Sequence, residues 1–363
     1  MSEKINISTS FSDTYDVTVG YNLLDQVTSF ITEQYSAQKL IVVIDENVQK
    51  IHGDMIFGSL DNSFKTIIKY VVPAGEQSKS IEQFAQIVDV ILKSGIERRT
   101  PLLAIGGGVT GDLAGFVAAS VLRGIPLIQM PTTLLAMVDS SIGGKTGINN
   151  AVGKNLVGAF YQPKAVFSDL KYLETLPKQE WISGLSEILK YGFISDSLIF
   201  EELDELIIEN EFAAAKAWQH VITKSAAIKV DIVSKDVKEA GIREYLNFGH
   251  TFAHVIERQG DYKMFTHGEA VYMGMVAAVL VSNELGATIN TDILLRYKYL
   301  YNLKLNSALE CKELTALMLH DKKVANSTIR LVLLKDLEYP ITQKFEHTAI
   351  IEKAWDSIIE EFN

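Results

Sequence analysis

Three of the seven histidines, His250, His254 and His267, are close together in the sequence. His250 and His254 are four positions apart, so they share one face if the segment is helical. Glu187 and Lys190 are three positions apart and also face together on a helix. Two histidines and a carboxylate, with one position left open, make a catalytic zinc-type site. Spacing alone leaves open which two histidines bind, and ordinary surface or core histidines are the alternative.

A second set of candidates is basic and lies in glycine-rich, polar or apolar surroundings. Each of these charges taken singly is most simply a solvated surface group. Glycine-rich turns, however, are where a scaffold presents functional groups, and several converging cations suit a phosphate plus a carboxylate. The set comprises Arg123, Lys145, Lys154, Lys190, Lys229, Arg243, Lys322 and Lys323.

A glycine-rich segment, residues 106–111, matches the pattern G-x-G-x-x-G between a predicted buried strand and a predicted helix over 113–122. Glycines let the backbone approach a pyrophosphate, and a helix N-terminus offers free N–H groups. The acidic residue expected about 20 positions downstream is missing, and Asp45, directly after the first buried strand, is the candidate ribose ligand. We predict a nucleotide site that departs from the usual fingerprint, with a tight packing turn as the alternative. Residues 143–146 are not a P-loop, because Asp139 occupies the place of the required glycine.

The elements that position these residues change in character along the chain. Short apolar runs at 39–44, 66–72, 102–105, 127–130 and 166–167 read as buried strands, and 81–92 has helical spacing. Stretches 196–211 and 212–233 also have helical periodicity. The sequence predicts an α/β N-terminal domain over 1–177, Rossmann-like with a largely parallel sheet, and an all-α C-terminal domain over 178–363. We expect the active site in the cleft between them.

Composition narrows the class of protein. The chain has 363 residues, 47% of them hydrophobic and 22% charged, which allows two domains with large cores. Its net charge of -11 argues against nucleic acid as a partner, because a duplex-binding surface needs clustered lysine and arginine. One cysteine, Cys311, excludes an internal disulfide. No signal peptide or membrane-spanning run is predicted, so we expect a cytoplasmic enzyme without a membrane partner.

Taken in order, the motifs resemble the 3-dehydroquinate synthase family over nearly the whole chain. Any one block is suggestive, whereas the ordered set is highly specific. Ala253 stands where a glycine is common, and 150–152 and 324–328 vary from the usual loops, without removing a ligand or a charge. The blocks are 73–79 (PAGEQSK), 106–116, 131–149 (PTTLLAMVDSSIGGKTGIN), 153–155, 184–192, 243–254, 267–270 and 321–323.

The resemblance implies a role for particular residues. Glu187, His250 and His267 would bind a divalent metal, zinc or else cobalt, and His254 would face the substrate or support the metal site. NAD would be surrounded by Asp45, Asn47, Glu76, Lys79, Gly107, Gly108, Asp112, Thr132, Thr133, Asp139, Lys154 and Thr175. The substrate pocket would be lined by Arg123, Lys145, Asn155, Lys190, Lys229, Arg243, Asn247, His254 and Lys322 or Lys323. Arg123 would reach the neighbouring subunit's site in a homodimer.

The resemblance also implies a reaction, the conversion of 3-deoxy-D-arabino-heptulosonate 7-phosphate to 3-dehydroquinate and phosphate. The reaction would begin with transient oxidation by NAD, followed by β-elimination of phosphate and by reduction. Ring opening and aldol closure would complete it. Alternatives are a cyclase for another sugar phosphate, a metal-dependent polyol or glycerol-phosphate dehydrogenase, and a nucleotide-binding regulatory protein without chemistry. Lys229, Arg243 and Asn247 together favour the sugar acid, and a regulatory protein would not need Glu187, His250 and His267.

Overall fold

The computed structural model describes residues 14–35, 38–210, 212, 214–260, 264–306, 310–318 and 328–363. Its N-terminal half is built on a six-stranded sheet in the order β1-β8-β5-β4-β2-β3, and every neighbouring pair is parallel. The strands are β1 (Asp16–Gly20), β2 (Lys39–Asp45), β3 (Thr66–Val72), β4 (Leu102–Gly106), β5 (Leu127–Pro131) and β8 (Ala165–Asp169). Strands β4, β5 and β8 are buried along their whole length, because helices cover both faces of the sheet.

Four helices flank this sheet: α1 (Leu24–Tyr35), α2 (Glu46–Leu60), α3 (Ile81–Lys93) and α4 (Gly108–Ser120). Two of them begin at side-chain caps that satisfy free backbone N–H groups. Asp45 accepts hydrogen bonds from the N–H groups of Asn47 and Val48, and Ser80 accepts one from Gln83. Between β5 and β8 an antiparallel hairpin, β6 (Lys145–Asn150) and β7 (Gly153–Phe160), extends beside the sheet and packs on α4.

The C-terminal half is mainly helical. Its core surrounds α5 (Lys178–Ile194) and α9 (His267–Glu284), which are buried over most of their length. The other helices are α6 (Leu198–Asn210), α7 (Gln219–Lys235), α8 (His250–Gln259), α10 (Asp292–Leu295), α11 (Cys311–Met318) and α12 (Ala349–Glu361). Among the described residues, no helix is both long and apolar enough to cross a membrane.

The predicted elements agree with the structure, with two differences. The five predicted strands are present, and the helix predicted over 113–122 begins earlier, at Gly108, and ends at Ser120. The expectation of an all-α second half omits one hairpin, β9 (Ile329–Leu334) and β10 (Pro340–Phe345). Five of the six residues of β9 are β-branched or leucine and are buried, and the strand packs on α9. The tight turn at Lys335 to Tyr339 returns the chain.

Candidate active site

The glycine-rich segment lies where the strand order reverses. From β2 the chain continues to β3 on one side, whereas β4, β5 and β8 follow on the other. A crevice therefore opens at the carboxyl ends of β2 and β4, which is where open α/β sheets bind ligands. Asp45 ends β2, and Gly107 directly precedes α4 without a side-chain cap, so the first N–H groups of the helix face this crevice.

The residues around this turn are tightly packed. A Cβ atom at Gly107 would lie 3.0 Å from Thr133 Cγ2, and one at Gly108 would lie 3.0 Å from Ser140 Oγ. The Thr132 N–H donates to the Gly106 carbonyl at 3.0 Å, which places both predicted threonines beside the glycines. The end of β2, the two threonines and the start of α4 thus lie together along one edge of the crevice. We call this edge the nucleotide rim.

A polar cluster at the start of α3 and on the β6–β7 hairpin extends this rim. The buried Lys79 ammonium pairs with Asp112 at 2.5 Å and donates to Asn155 Oδ1. Glu76 accepts a hydrogen bond of 2.7 Å from Asn149. Burial raises the pKa of Asp112, and the charge on Lys79 opposes that rise. Thr175 lies in the turn after β8, where its hydroxyl is 2.7 Å from His52 Nε2.

Glu187, His250 and His267 come together from three helices. Glu187 Oε1 lies 3.5 Å from His250 Nε2 and 3.6 Å from His267 Nε2, and the three candidate ligand atoms all lie within 4.8 Å of one another. His254 follows one turn after His250, is exposed, and has its ring centroid 6.1 Å from that of His250. The structure therefore groups His267, rather than His254, with Glu187 and His250.

Two glycines allow the helices to approach closely enough. Gly249, with φ at +80°, precedes His250, and a Cβ there would lie 2.8 Å from the Met275 backbone nitrogen on α9. A Cβ at Gly268 would lie 2.4 Å from Ser183 Cα on α5. Any side chain at Gly268 would separate α9 from α5, and His267 would move away from Glu187.

The charge states of Glu187 and His250 suit a metal cation, whereas a metal must displace a proton from His267. Burial raises the pKa of Glu187, but the adjacent Lys190 and His267 lower it to about 2, so the carboxylate is ionised. Burial lowers the pKa of His250 to about 3, so its imidazole is neutral. Burial also disfavours the charged form of His267, yet Glu187 and Glu257 raise its pKa to about 10. Glu187 Oε1 is buried and accepts no hydrogen bond from the described residues, as expected of an atom that binds a metal.

Asp139 lies between the nucleotide rim and the metal ligands. Its carboxylate accepts a hydrogen bond from Tyr191 at 2.9 Å, pairs with Lys229 at 2.7 Å and lies 3.8 Å from Lys190. The Lys190 ammonium also contacts Glu187 Oε2, which leaves Oε1 to face the histidines. Burial opposes ionisation of Asp139, but Lys229 and Lys190 outweigh it and lower its pKa.

The remaining predicted substrate residues form a neighbouring group. Lys145 and Asn247 both contact the Glu239 carboxylate, at 2.5 and 2.8 Å. Arg243 is 1% exposed and donates to the carbonyls of Gly143, at 3.0 Å, and Val237, at 2.5 Å. Its Nε is buried without a hydrogen-bond partner in the described part of the chain. A buried, incompletely satisfied guanidinium is suited to an anionic ligand.

Some predicted residues are placed apart from these groups. Arg123 lies on the exposed turn after α4 with φ at +63°. Asn155, predicted to contact substrate, contacts the nucleotide-side Lys79. Lys322 and Lys323 lie outside the described residues.

Two carboxylates in the site were missed by the sequence reasoning. Glu257 contacts Lys154 at 3.3 Å and His267 Nδ1 at 3.6 Å. It follows His250 by seven positions, a spacing that keeps one helix face and could have revealed it. Glu239 lies in the irregular segment after α7, with φ at +59°, and no periodicity marks it.

Comparisons with known proteins agree with this architecture. The family models 3-dehydroquinate synthase N-terminal and C-terminal match residues 69–183 and 184–324. The 3-dehydroquinate synthase of Rippkaea orientalis is 40% identical over 326 residues, covering 88% of this chain and 89% of that protein.

Solved structures show the same two-part fold. The 2-epi-5-epi-valiolone synthase of Streptomyces hygroscopicus subsp. jinggangensis 5008, with NAD⁺ and Zn²⁺ bound, has a TM-score of 0.87 at 24% identity over 98% of this chain and 100% of that one. A 2-deoxy-scyllo-inosose synthase complexed with carbaglucose-6-phosphate, NAD⁺ and Co²⁺ has a TM-score of 0.81 at 26% identity, covering 95% and 96%. The fold is therefore the one that these synthases share. Within that class, the chain belongs to the 3-dehydroquinate synthase family.

Proposed function

We propose that this chain converts 3-deoxy-D-arabino-heptulosonate 7-phosphate to 3-dehydroquinate and phosphate, a step of the shikimate pathway toward aromatic amino acids. One observation carries the proposal. Asp139 lies among three candidate metal ligands, the nucleotide rim and a set of buried cations, in a chain that is about 40% identical to 3-dehydroquinate synthases. The identity to cyclases for other sugar phosphates is lower, 24% and 26%, which disfavours those substrates.

The residues present fit NAD and a divalent metal, zinc or cobalt. Glu187, His250 and His267 would hold the metal, and the crevice between Asp45 and Gly107 would hold the dinucleotide. When bound, these groups supply transient hydride transfer and polarisation of the substrate hydroxyl. No carboxylate pair in the described site is arranged as a general acid and base. Proton removal during loss of phosphate is therefore assigned to the leaving phosphate itself.

The contribution of the chain is to hold the substrate in one conformation. The ammonium groups of Lys190 and Lys229 both lie near Asp139 Oδ1, and Arg243 is fixed by two backbone carbonyls. These cations are held before the substrate arrives, so little reorganisation accompanies binding of its carboxylate and phosphate. Lys145, which is half exposed, lies at the solvent side of this group, together with Glu239 and Asn247.

Lys229 gives the proposed activity a defined pH dependence. Burial lowers the pKa of its ammonium to about 8, although Asp139 opposes the fall. Because the anionic substrate needs the charged form, kcat/KM is expected to decline as the pH rises through about 8. A pH profile of kcat/KM checks this result. The matched Lys229→Arg variant should keep its charge and lose the decline; a decline of the same shape in that variant would assign it to another group.

The function is tested by incubating the purified chain with NAD, Zn²⁺ and the heptulosonate phosphate. We expect stoichiometric phosphate and carbocycle with no net formation of NADH. Steady accumulation of NADH would instead indicate a polyol dehydrogenase. Release of phosphate only from glucose 6-phosphate or sedoheptulose 7-phosphate would indicate a different cyclase, and no release from any of them would overturn the proposal.

We also propose a cytoplasmic homodimer. The single cysteine and the acidic composition suit the cytoplasm. Exposed apolar side chains on the β6–β7 hairpin and on the turn after α4, among them Leu122, Val152 and Leu156, offer a surface for a second copy. Arg123 follows Leu122 on that surface, which is consistent with a role across the dimer. Contact of Lys322 or Lys323 with the substrate is retained from the family resemblance.

A further inference from the structure

Metal-binding histidines need a partner for the ring nitrogen that does not bind the metal. That partner fixes the tautomer and the ring orientation, and it is usually a backbone carbonyl or a carboxylate. For His250 the partner is a carbonyl, since Nδ1 lies 3.2 Å from the Phe248 oxygen and Nε2 faces Glu187. His267 also directs Nε2 toward Glu187, and its Nδ1 faces the Glu257 carboxylate at 3.6 Å.

Glu257 is held in place by more than this contact. It lies on α8, on the same face as His250 and His254, and is 5% exposed. The Lys154 ammonium, on strand β7, lies 3.3 Å from the same Oε1 atom that faces His267. Burying an ionised carboxylate costs free energy, because the charge loses its hydration and the side chain loses its freedom. The contacts with a lysine and an imidazole offset that cost.

We propose that Glu257 is the positioning residue of His267, holding Nδ1 protonated so that Nε2 is presented to the metal. Lys154 pairs with the same carboxylate oxygen and so helps to hold it in place, and Lys154 is itself a predicted NAD residue. The contact therefore joins a metal ligand to the hairpin that borders the nucleotide rim. The inference rests on the metal-dependent function proposed above.

The test is the Zn²⁺ dissociation constant of the full chain, measured by competition with a chelator. Glu257→Ala is expected to weaken Zn²⁺ binding by about 10–100-fold, the usual effect of removing such a partner. Glu257→Gln keeps the shape of the side chain and loses its charge, so it should retain the thermal midpoint and still weaken Zn²⁺ binding by about 10-fold. Loading with Co²⁺ gives a second readout, since a reoriented imidazole changes the visible absorption spectrum.

The matched control is Glu284→Gln at the far end of α9, where the carboxylate is 46% exposed and pairs with Lys353. It should bind Zn²⁺ and Co²⁺ as the wild type does. Wild-type affinity and an unchanged Co²⁺ spectrum in Glu257→Gln and Glu257→Ala would overturn this inference alone. A wild-type chain that takes up no Zn²⁺ would overturn the metal assignment as well, and the two failures are thus distinguishable. If Glu257→Ala does not fold, Glu257→Gln decides the outcome.

Discussion

His250→Ala is expected to purify without its metal and to lose activity on the order of 1,000-fold. The imidazole supplies one of three protein ligands, and a cation on Glu187 and His267 alone is held far more weakly. Metal polarisation of a substrate oxygen contributes several kcal/mol, and each 1.36 kcal/mol is a factor of about ten in rate. Elemental analysis of the purified variant, together with phosphate release under saturating NAD, measures both effects.

His220→Ala is the control for that experiment, because His220 is 79% exposed and lies on α7 away from the cluster. It should keep its metal and its rate. Full metal occupancy in His250→Ala would refute the assignment of His250 as a ligand. Normal metal content with lost activity would instead place His250 in contact with substrate.

Lys145→Ala and Arg243→Ala are expected to lose most activity, with kcat/KM falling by at least about 30-fold, equivalent to about 2 kcal/mol. Their effects on stability should differ. The Lys145 side chain is 49% exposed and pairs with Glu239 at the solvent side of the site, so its removal should leave the fold intact. Arg243 is buried and satisfies two backbone carbonyls, so its loss should also destabilise the protein by about 1–3 kcal/mol.

Thermal melts and steady-state kinetics separate these contributions. Lys93→Ala is the matched control, since Lys93 is 77% exposed at the end of α3 and pairs with Asp89. It should change neither quantity. Near-normal kcat/KM in Lys145→Ala would remove that residue from the substrate pocket. Loss of activity in Arg243→Ala in strict proportion to the unfolded fraction would make Arg243 a structural residue only.

Much of the scaffold could be predicted from the sequence. Buried parallel strands are continuous apolar runs, and 39–44 and 102–105 therefore marked β2 and β4 without any tertiary information. The glycine-rich turn was also recognisable, because its motif follows one of these apolar runs and precedes a segment with helical spacing. The hairpin of β9 and β10 was less visible, since a short apolar run in a helical region fits either structure.

The sequence by itself determined which functional groups are present. These are a strand–turn–helix nucleotide motif, a helix with two histidines one turn apart, an acidic helix residue, and basic residues in glycine-rich or apolar surroundings. It could not decide which of them meet. His254 is closer to His250 in sequence than His267 is, yet α9 delivers His267 to Glu187, because Gly268 lets α9 touch α5. Glu239 and Glu257 enter the site through contacts with Lys145 and His267 from other elements. Local patterns encode which face of a helix a residue occupies, whereas the approach of separate helices depends on packing that no single segment contains.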